Sequence, residues 1–130
     1  MTEEFEISKT VMHLSGGPQF FAAPTRSCEP ADPIDDPDAD ECVIKHMSGE
    51  PTMLIMPFAG EQLVMWATNL SRLASQMVPM MRHLLKGIQL YQTVDIVHND
   101  IHMGNIVVDK GGVARFIDFG LAFRLSLIHI

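Results

Sequence analysis

The sequence is poor in cysteine and in basic residues, and it has no long apolar run. Two cysteines, Cys28 and Cys42, are too few for a disulfide framework. Two unrelated reduced thiols are the expected state, with one disulfide or half a metal site as alternatives. Nine basic residues against sixteen acidic ones give a net charge of −7, which disfavours nucleic acid as a partner. No run approaches the roughly 18 apolar residues that span a bilayer, so no membrane partner is expected either.

The composition is that of one domain with a core. The chain has 130 residues, of which 47% are apolar and 19% charged. Charge is unevenly spread, because residues 1–57 carry 11 acidic and 3 basic residues whereas residues 58–130 carry 5 and 6. The N-terminus is acidic and unlike a signal peptide, so a cytoplasmic setting is expected. A phosphate group would be better tolerated in the second half.

The first half predicts one helix and one hairpin. Apolar spacing indicates a helix over residues 3–14. Residues 18–41 are rich in Pro and Asp and predict a solvated loop. A calcium loop is disfavoured there, because the required central Gly and closing Glu are missing. Residues 42–45 and 52–56 read as two strands joined by a turn.

The second half predicts two helices followed by short strands. The helices are expected over about 61–74 and 78–93, with Pro79 in the first turn of the second. The buried face of this second helix should be lined by four apolar residues, Val78, Met81, Leu85 and Ile88. Leu84 and Tyr91 would widen that face. Residues 96–97, 105–109 and 114–118 predict strands, with a hairpin turn at 109–112.

Two polar motifs lie among these last strands. The first reads H-x-D-x-x-x-x-N and the second D-F-G, and 18 residues separate their aspartates. The residues concerned are His98, Asp100, Asn105, Asp118, Phe119 and Gly120. Each motif alone is weak, but both in this order, at this spacing and between strands, resemble the catalytic segment of the protein-kinase-like superfamily.

That resemblance implies a partial kinase-like α+β fold. Residues 1–57 would form a remnant of the small lobe, and residues 58–124 the first half of the helical large lobe. Met56 would stand at the gatekeeper position, and Pro57, Phe58 and Ala59 would form the hinge that faces adenine. Glu4, in preference to Glu3 or Glu6, would be the acid that pairs with the family's strand lysine.

The resemblance also implies the chemistry. Phosphoryl transfer from ATP to a hydroxyl needs positioning and cations more than covalent chemistry. Asp100 would accept the hydroxyl proton, and Asn105 and Asp118 would hold Mg²⁺ through oxygen atoms. His98 would be structural. The expected acceptor is a protein Ser or Thr, with a small molecule as the alternative.

Two departures modify this expectation. Asn99 stands where protein kinases usually have the Arg that pairs with a phosphorylated activation loop, so such switching is not expected. His102 stands in place of the Lys that contacts the transferred phosphate, and it is counted with Asp100 and Asn105 among the catalytic residues. The form H-x-D-x-H-x-G-N is similar to haspin-type kinases and aminoglycoside phosphotransferases. Divergent kinases of large DNA viruses are similar too.

Several family features are missing from the sequence. There is no glycine-rich phosphate loop, no suitably placed strand lysine and no A-P-E motif after Asp118. The chain is therefore expected to be a truncated, inactive fragment of an active kinase. Residues 125–130 resemble the translation of a sequencing adaptor, with a native apolar strand or helix start as the alternative.

Two other functions remain open. A non-catalytic kinase-like binding module would need the loss of Asp100, Asn105 or Asp118, and all three are present. A metal hydrolase would use His98, Asp100 and His102 as ligands. That reading leaves Asn105 and the spacing to Asp118 unexplained.

Overall fold

The computed structural model describes residues 3–28 and 53–125. Within these ranges the chain forms short strands around one long helix, which confirms the α+β class. In chain order the elements are α1 (Glu3–His13), α2 (Gly17–Phe20), β1 (Arg26–Cys28), β2 (Met53–Ile55), β3 (Glu61–Gln62), α3 (Leu63–Trp66), α4 (Leu70–Gln92), β4 (Ile96–Val97), β5 (Ile106–Val108), β6 (Ala114–Phe116) and β7 (Phe123–Arg124).

The described strands form three small antiparallel sheets. β3, β5 and β6 make one sheet in that order, β1 pairs with β2, and β4 pairs with β7. The predicted hairpin turn between β5 and β6 is confirmed, with Ile106 opposite Phe116. Phe21 forms a parallel bridge to Phe116, and the N–H of Ala22 donates to the Phe116 carbonyl at 2.9 Å. The sheet is thereby joined to the segment that follows α2.

The long helix α4 begins earlier than its sequence predicts. Asn69 caps its N-terminus, because the Asn69 side chain accepts the N–H of Arg72 at 3.1 Å. The predicted helix over 61–74 is therefore wrong as one element: it divides into β3, α3 and the first residues of α4. Pro79 lies inside α4 rather than in a first turn, where it removes one intrahelical hydrogen bond.

The buried face of α4 is only partly the predicted one, with Leu84 and Tyr91 buried as expected. Met80, Leu84, Gly87 and Tyr91 are buried, and Ile88 packs partly buried against the core. The prediction for Leu85 is wrong, since 55% of it is exposed. Val78 and Met81 are exposed as well, which leaves a second apolar face of the helix outside the described core.

Gly87 sets the distance between α4 and its neighbours. A Cβ there would lie 3.1 Å from the Phe20 Cβ and 3.2 Å from the Phe116 Cε2. Glycine at this position lets α4 approach α2 and β6 closely, since a Cβ would press against Phe20 and Phe116. This contact holds the helix beneath the sheet that carries the candidate site.

The predicted solvated loop over 18–41 is wrong for its first residues. Pro18–Phe20 belong to α2, and the extended segment 21–24 that follows is buried. β1 then pairs with β2, so the described partner of residues 53–55 is Arg26–Cys28. The predicted strand over 42–45, Cys42 and residues 29–41 lie outside the described residues, as do residues 126–130. The lobe boundary at residue 57 stays a prediction.

Candidate active site

The loop between β4 and β5 carries the first motif. It leaves β4 at His98 and closes into β5 through a 3₁₀ turn, Met103–Asn105. Asn99 takes a left-handed backbone with φ of 62°. Asn adopts this conformation more readily than a long side chain does. The residue that departs from the kinase pattern therefore suits its backbone here.

His98 anchors this loop from beneath. Its side chain is fully buried, and Nε2 donates to the carbonyl of Ile117 at 3.0 Å. Burial lowers the pKa of the imidazole below its usual value, against smaller opposing effects of the Ile117 hydrogen bond and of Asp100 and Asp118. A neutral, buried ring bound to a backbone carbonyl supports the structural role expected for His98.

Asp100 and Asn105 come together directly. The Asn105 amide nitrogen donates to Asp100 Oδ2 at 2.8 Å and to the Asp100 carbonyl at 3.2 Å. The backbone of Asn105 is held on both sides, by the carbonyl of His102 at 2.9 Å and the N–H of Ile117 at 3.0 Å. Its amide orientation is thus fixed, with the nitrogen toward Asp100 and the oxygen left for another partner.

His102 lies on the same side of the loop. Its Nδ1 accepts the N–H of Gly104 at 3.1 Å, and its Nε2 lies 3.6 Å from Asp100 Oδ2. The three residues predicted as catalytic, Asp100, His102 and Asn105, therefore form one cluster.

Asp118 lies where β6 leads into the second motif. Its backbone is left-handed with φ of 60°, and its Oδ1 accepts the N–H of Gly120 at 3.1 Å. Phe119 is fully buried, with its ring 4.7 Å from the His98 ring between centroids. Phe119 thus anchors the second motif in the core next to His98, while Asp118 before it is exposed.

Glu4 of α1 also reaches this second motif. A Cβ on Gly120 would lie 3.8 Å from Glu4 Cδ. Burial, and then the neighbouring carboxylate of Asp118, raise the pKa of the Glu4 carboxyl above its usual value. Two carboxyl groups face each other here, an arrangement that a cation would stabilise.

The predicted hinge residues lie away from this cluster. Met56, Pro57 and Phe58 are exposed, and Phe58 is 93% so. Pro57, Phe58 and Ala59 line a cavity of about 300 Å³ that also touches Asp109 and Arg115. Another cavity of about 480 Å³ lies against the turn at 109–112, and none of Asp100, Asn105 or Asp118 lines it. The role of the hinge residues stays a prediction.

The metal-hydrolase alternative does not fit this geometry. The His98 ring is fully buried beneath the loop, whereas His102 is exposed. Across residues 3–28 and 53–125, no three His, Cys, Asp or Glu side chains are grouped as a metal site would require. In the same ranges, no helix is long and apolar enough to cross a membrane.

Three supporting contacts escaped the sequence analysis. Gln62 donates from Nε2 to the Gly104 carbonyl at 3.1 Å, which braces the loop from β3. Arg124 donates to Thr10 at 2.7 Å and so links β7 to α1. Arg115 binds Asp109 at 2.7 Å. The alternation of side chains along β6 was the one sequence signal for the contact between Arg115 and Asp109. The contacts of Gln62 with Gly104 and of Arg124 with Thr10 join residues far apart in sequence.

Comparison with known proteins identifies a family and several relatives. The model of the phosphotransferase enzyme family matches residues 54–124, more than half of the chain. The Serine/threonine-protein kinase cst-1 of Caenorhabditis elegans is 39% identical over 46 residues, which are 35% of this chain and 9% of that protein. Mitogen-activated protein kinase 12 of Danio rerio is 31% identical over 70 residues, which are 53% of this chain and 19% of that protein.

The chain thus spans less than a fifth of the length of these relatives. The family match runs from β2 to β7, so it includes both polar motifs and every element between them. The family match and the kinase relatives both lie within the protein-kinase-like superfamily that the two motifs indicated. The chain belongs to the phosphotransferase enzyme family.

Proposed function

We propose that the chain carries the catalytic loop and magnesium-binding motif of an ATP-dependent kinase that phosphorylates a protein Ser or Thr hydroxyl. The observation that carries this proposal is the Asp100 carboxylate held by the Asn105 amide, in a loop whose buried His98 contacts Phe119 of the second motif. Kinase-named relatives support the protein acceptor. The activity is proposed for the whole protein that contains this segment.

The residues present fit a magnesium ion. Asn105 uses its amide nitrogen on Asp100, which leaves the amide oxygen as a ligand, and Asp118 uses Oδ1 on Gly120, which leaves Oδ2. Oxygen ligands of this kind suit Mg²⁺. The facing carboxyl groups of Glu4 and Asp118 also call for positive charge, from this ion or from a lysine ammonium. When bound, the ion would neutralise the polyphosphate of ATP.

The protein's own part in the reaction is positional. Asp100 would accept the proton of the attacking hydroxyl as the oxygen–phosphorus bond forms and ADP leaves. Asn105 fixes the carboxylate for that task. The buried side chains of His98 and Phe119 pack against each other and so join the first motif to the second. Met56 and the hinge, Pro57–Ala59, would contact the adenine.

A small-molecule hydroxyl is the second candidate acceptor. The match to the phosphotransferase enzyme family favours it, as does His102 in place of the lysine of protein kinases. A non-catalytic binding role is less well supported, since Asp100, Asn105 and Asp118 are all retained. Parallel assays on a basic protein substrate and on an aminoglycoside would separate the two acceptors.

The test uses two aspartate variants of the whole protein. Asp118→Asn should remove magnesium-dependent ATP turnover, because the full carboxylate charge on the metal is lost. Asp100→Asn should lower kcat by about 100-fold or more while ATP binding is kept, because only the proton acceptor is lost. Turnover equal to wild type in either variant would contradict the assignment.

A further inference from the structure

His102 is held in one orientation by the loop itself. Its Nδ1 accepts the backbone N–H of Gly104 at 3.1 Å. A neutral imidazole that accepts at one nitrogen carries its proton on the other, so the proton lies on Nε2. The loop therefore selects one tautomer of His102 and fixes where its N–H points.

Gly104 also affects the position of the His102 ring through the space around its Cα. A Cβ at this position would lie 2.8 Å from Cε1 and 3.0 Å from Nδ1 of His102, and its nearest neighbours are these ring atoms. Contacts this short do not occur around real Cβ atoms, so the ring would have to move. The backbone of Gly104 is not left-handed, so it does not itself require glycine. Glycine at this position therefore leaves room for the ring of His102 where it lies.

Nε2 of His102, which carries this proton, lies near the proposed proton acceptor. Nε2 lies 3.6 Å from Asp100 Oδ2, the same oxygen that accepts from the Asn105 amide at 2.8 Å. Such a contact is long for a hydrogen bond, but contacts of this kind tighten once substrate is bound. Both contacts that the described residues make to this carboxylate thus reach Oδ2, which leaves Oδ1 for the acceptor hydroxyl.

We infer that His102 is a positioning residue: clamped by Gly104, it directs Nε2–H to Asp100 Oδ2 and, with Asn105, presents Oδ1 to the hydroxyl. The inference rests on the proposed function. In the step concerned, the hydroxyl oxygen bonds to the γ-phosphorus of ATP, the bond from that phosphorus to the bridging oxygen breaks so that ADP leaves, and the hydroxyl proton moves to Asp100 Oδ1. His102 neither gains nor loses a proton.

A double-mutant cycle between His102 and Gly104 tests this in the whole protein. His102→Ala and Gly104→Ala should each lower kcat by about 10- to 100-fold, as a misplaced catalytic group does, with KM unchanged. Adding Gly104→Ala to His102→Ala should change kcat less than about twofold, because the ring that the new Cβ would meet is gone. An equal loss in both backgrounds would overturn the inference.

Conservative replacement gives a second readout. His102→Gln offers an N–H at similar reach and should recover most of the kcat lost in His102→Ala, whereas His102→Leu should not. A merely structural role would let Leu and Gln behave alike, and that result would overturn the inference. A loss as large as that of Asp100→Asn would instead make His102 a chemical participant, which also overturns it.

The tautomer can be measured without activity, in the 130-residue chain. Nitrogen-15 NMR of the imidazoles should show His102 protonated on Nε2, with His98 as an internal reference for that form. Gly104→Ala should shift the His102 Nδ1 resonance and leave His98 unchanged. A proton on Nδ1 of His102 would overturn the inference, whereas a wild-type protein without turnover but with the expected tautomer would count against the proposed function alone.

Discussion

The loop that follows β4 and the helix α4 are neighbours in the chain, yet they fill the interior by opposite means. The loop buries polar side chains, His98 and Asn105, and binds them to specific backbone groups, the carbonyls of Ile117 and Asp100. Helix α4 buries apolar side chains on one face and exposes others on the next. A buried side chain of the loop is therefore stabilised by one specific hydrogen-bond partner. A side chain of α4 is buried or exposed according to the face of the helix on which it lies.

The largest expected effect compares two adjacent leucines of α4. Leu84→Ala should lower the free energy of unfolding by about 2–5 kcal/mol, because Leu84 is 5% exposed and its loss leaves a cavity. Leu85→Ala is the matched control, with the same atoms removed from a residue that is 55% exposed. It should cost less than about 1 kcal/mol. Urea unfolding of the chain measures both, and equal losses would contradict the assigned face.

The second comparison removes one polar partner from the loop. His98→Leu keeps most of the volume but leaves the Ile117 carbonyl without its donor, which should cost about 1–3 kcal/mol. His13→Leu is the control, because His13 is exposed at the end of α1 and should change stability by about 0.5 kcal/mol or less. If His98→Leu were as neutral as the control, the loop would not depend on this hydrogen bond.

The sequence predicted the loop better than the helix, for a physical reason. The polar residues of the two motifs stand at fixed spacings between short strands, and those spacings can be read from the sequence: His98, Asp100, Asn105 and Asp118. The side-chain contacts that support the loop could not be predicted from the sequence. Tertiary contacts such as Gln62 to Gly104 join residues 42 positions apart, and no local pattern announces them.

Helix α4 was misassigned because its sequence is apolar on two faces. Leu84 and Leu85 are equally apolar, and periodicity alone does not decide which of two such stripes meets the core. Pro79 added to the error, since proline normally marks a first turn. The strand at Arg26–Cys28 was missed because two of its three residues are exposed and polar. Its neighbours in sequence are Pro-rich, which favoured a loop.

The smallest expected change in the free energy of unfolding concerns Asp109. This residue lies at the turn that follows β5. Its Oδ1 accepts the N–H groups of Gly111 and Val113 at 2.8 and 3.0 Å, and its Oδ2 binds Arg115 at 2.7 Å. The Arg115 hydrogen bond, followed by that of Val113, lowers the pKa of the Asp109 carboxyl below its usual 3.8. Like the buried groups of the loop, this side chain is held by specific partners, but it lies nearer the solvent.

A lowered pKa in the folded state makes the ionised carboxylate stabilising. The contribution is complete above the unfolded pKa of about 3.8 and is lost as the pH falls through the lower folded value. Since both partners are partly exposed, Asp109→Asn should cost about 1 kcal/mol or less at pH 7. Urea unfolding of wild type and variant from pH 7 to pH 2 should show the difference shrinking only below about pH 4. A difference that stayed constant down to pH 2 would show that Asp109 stabilises the turn through its backbone hydrogen bonds rather than through its charge.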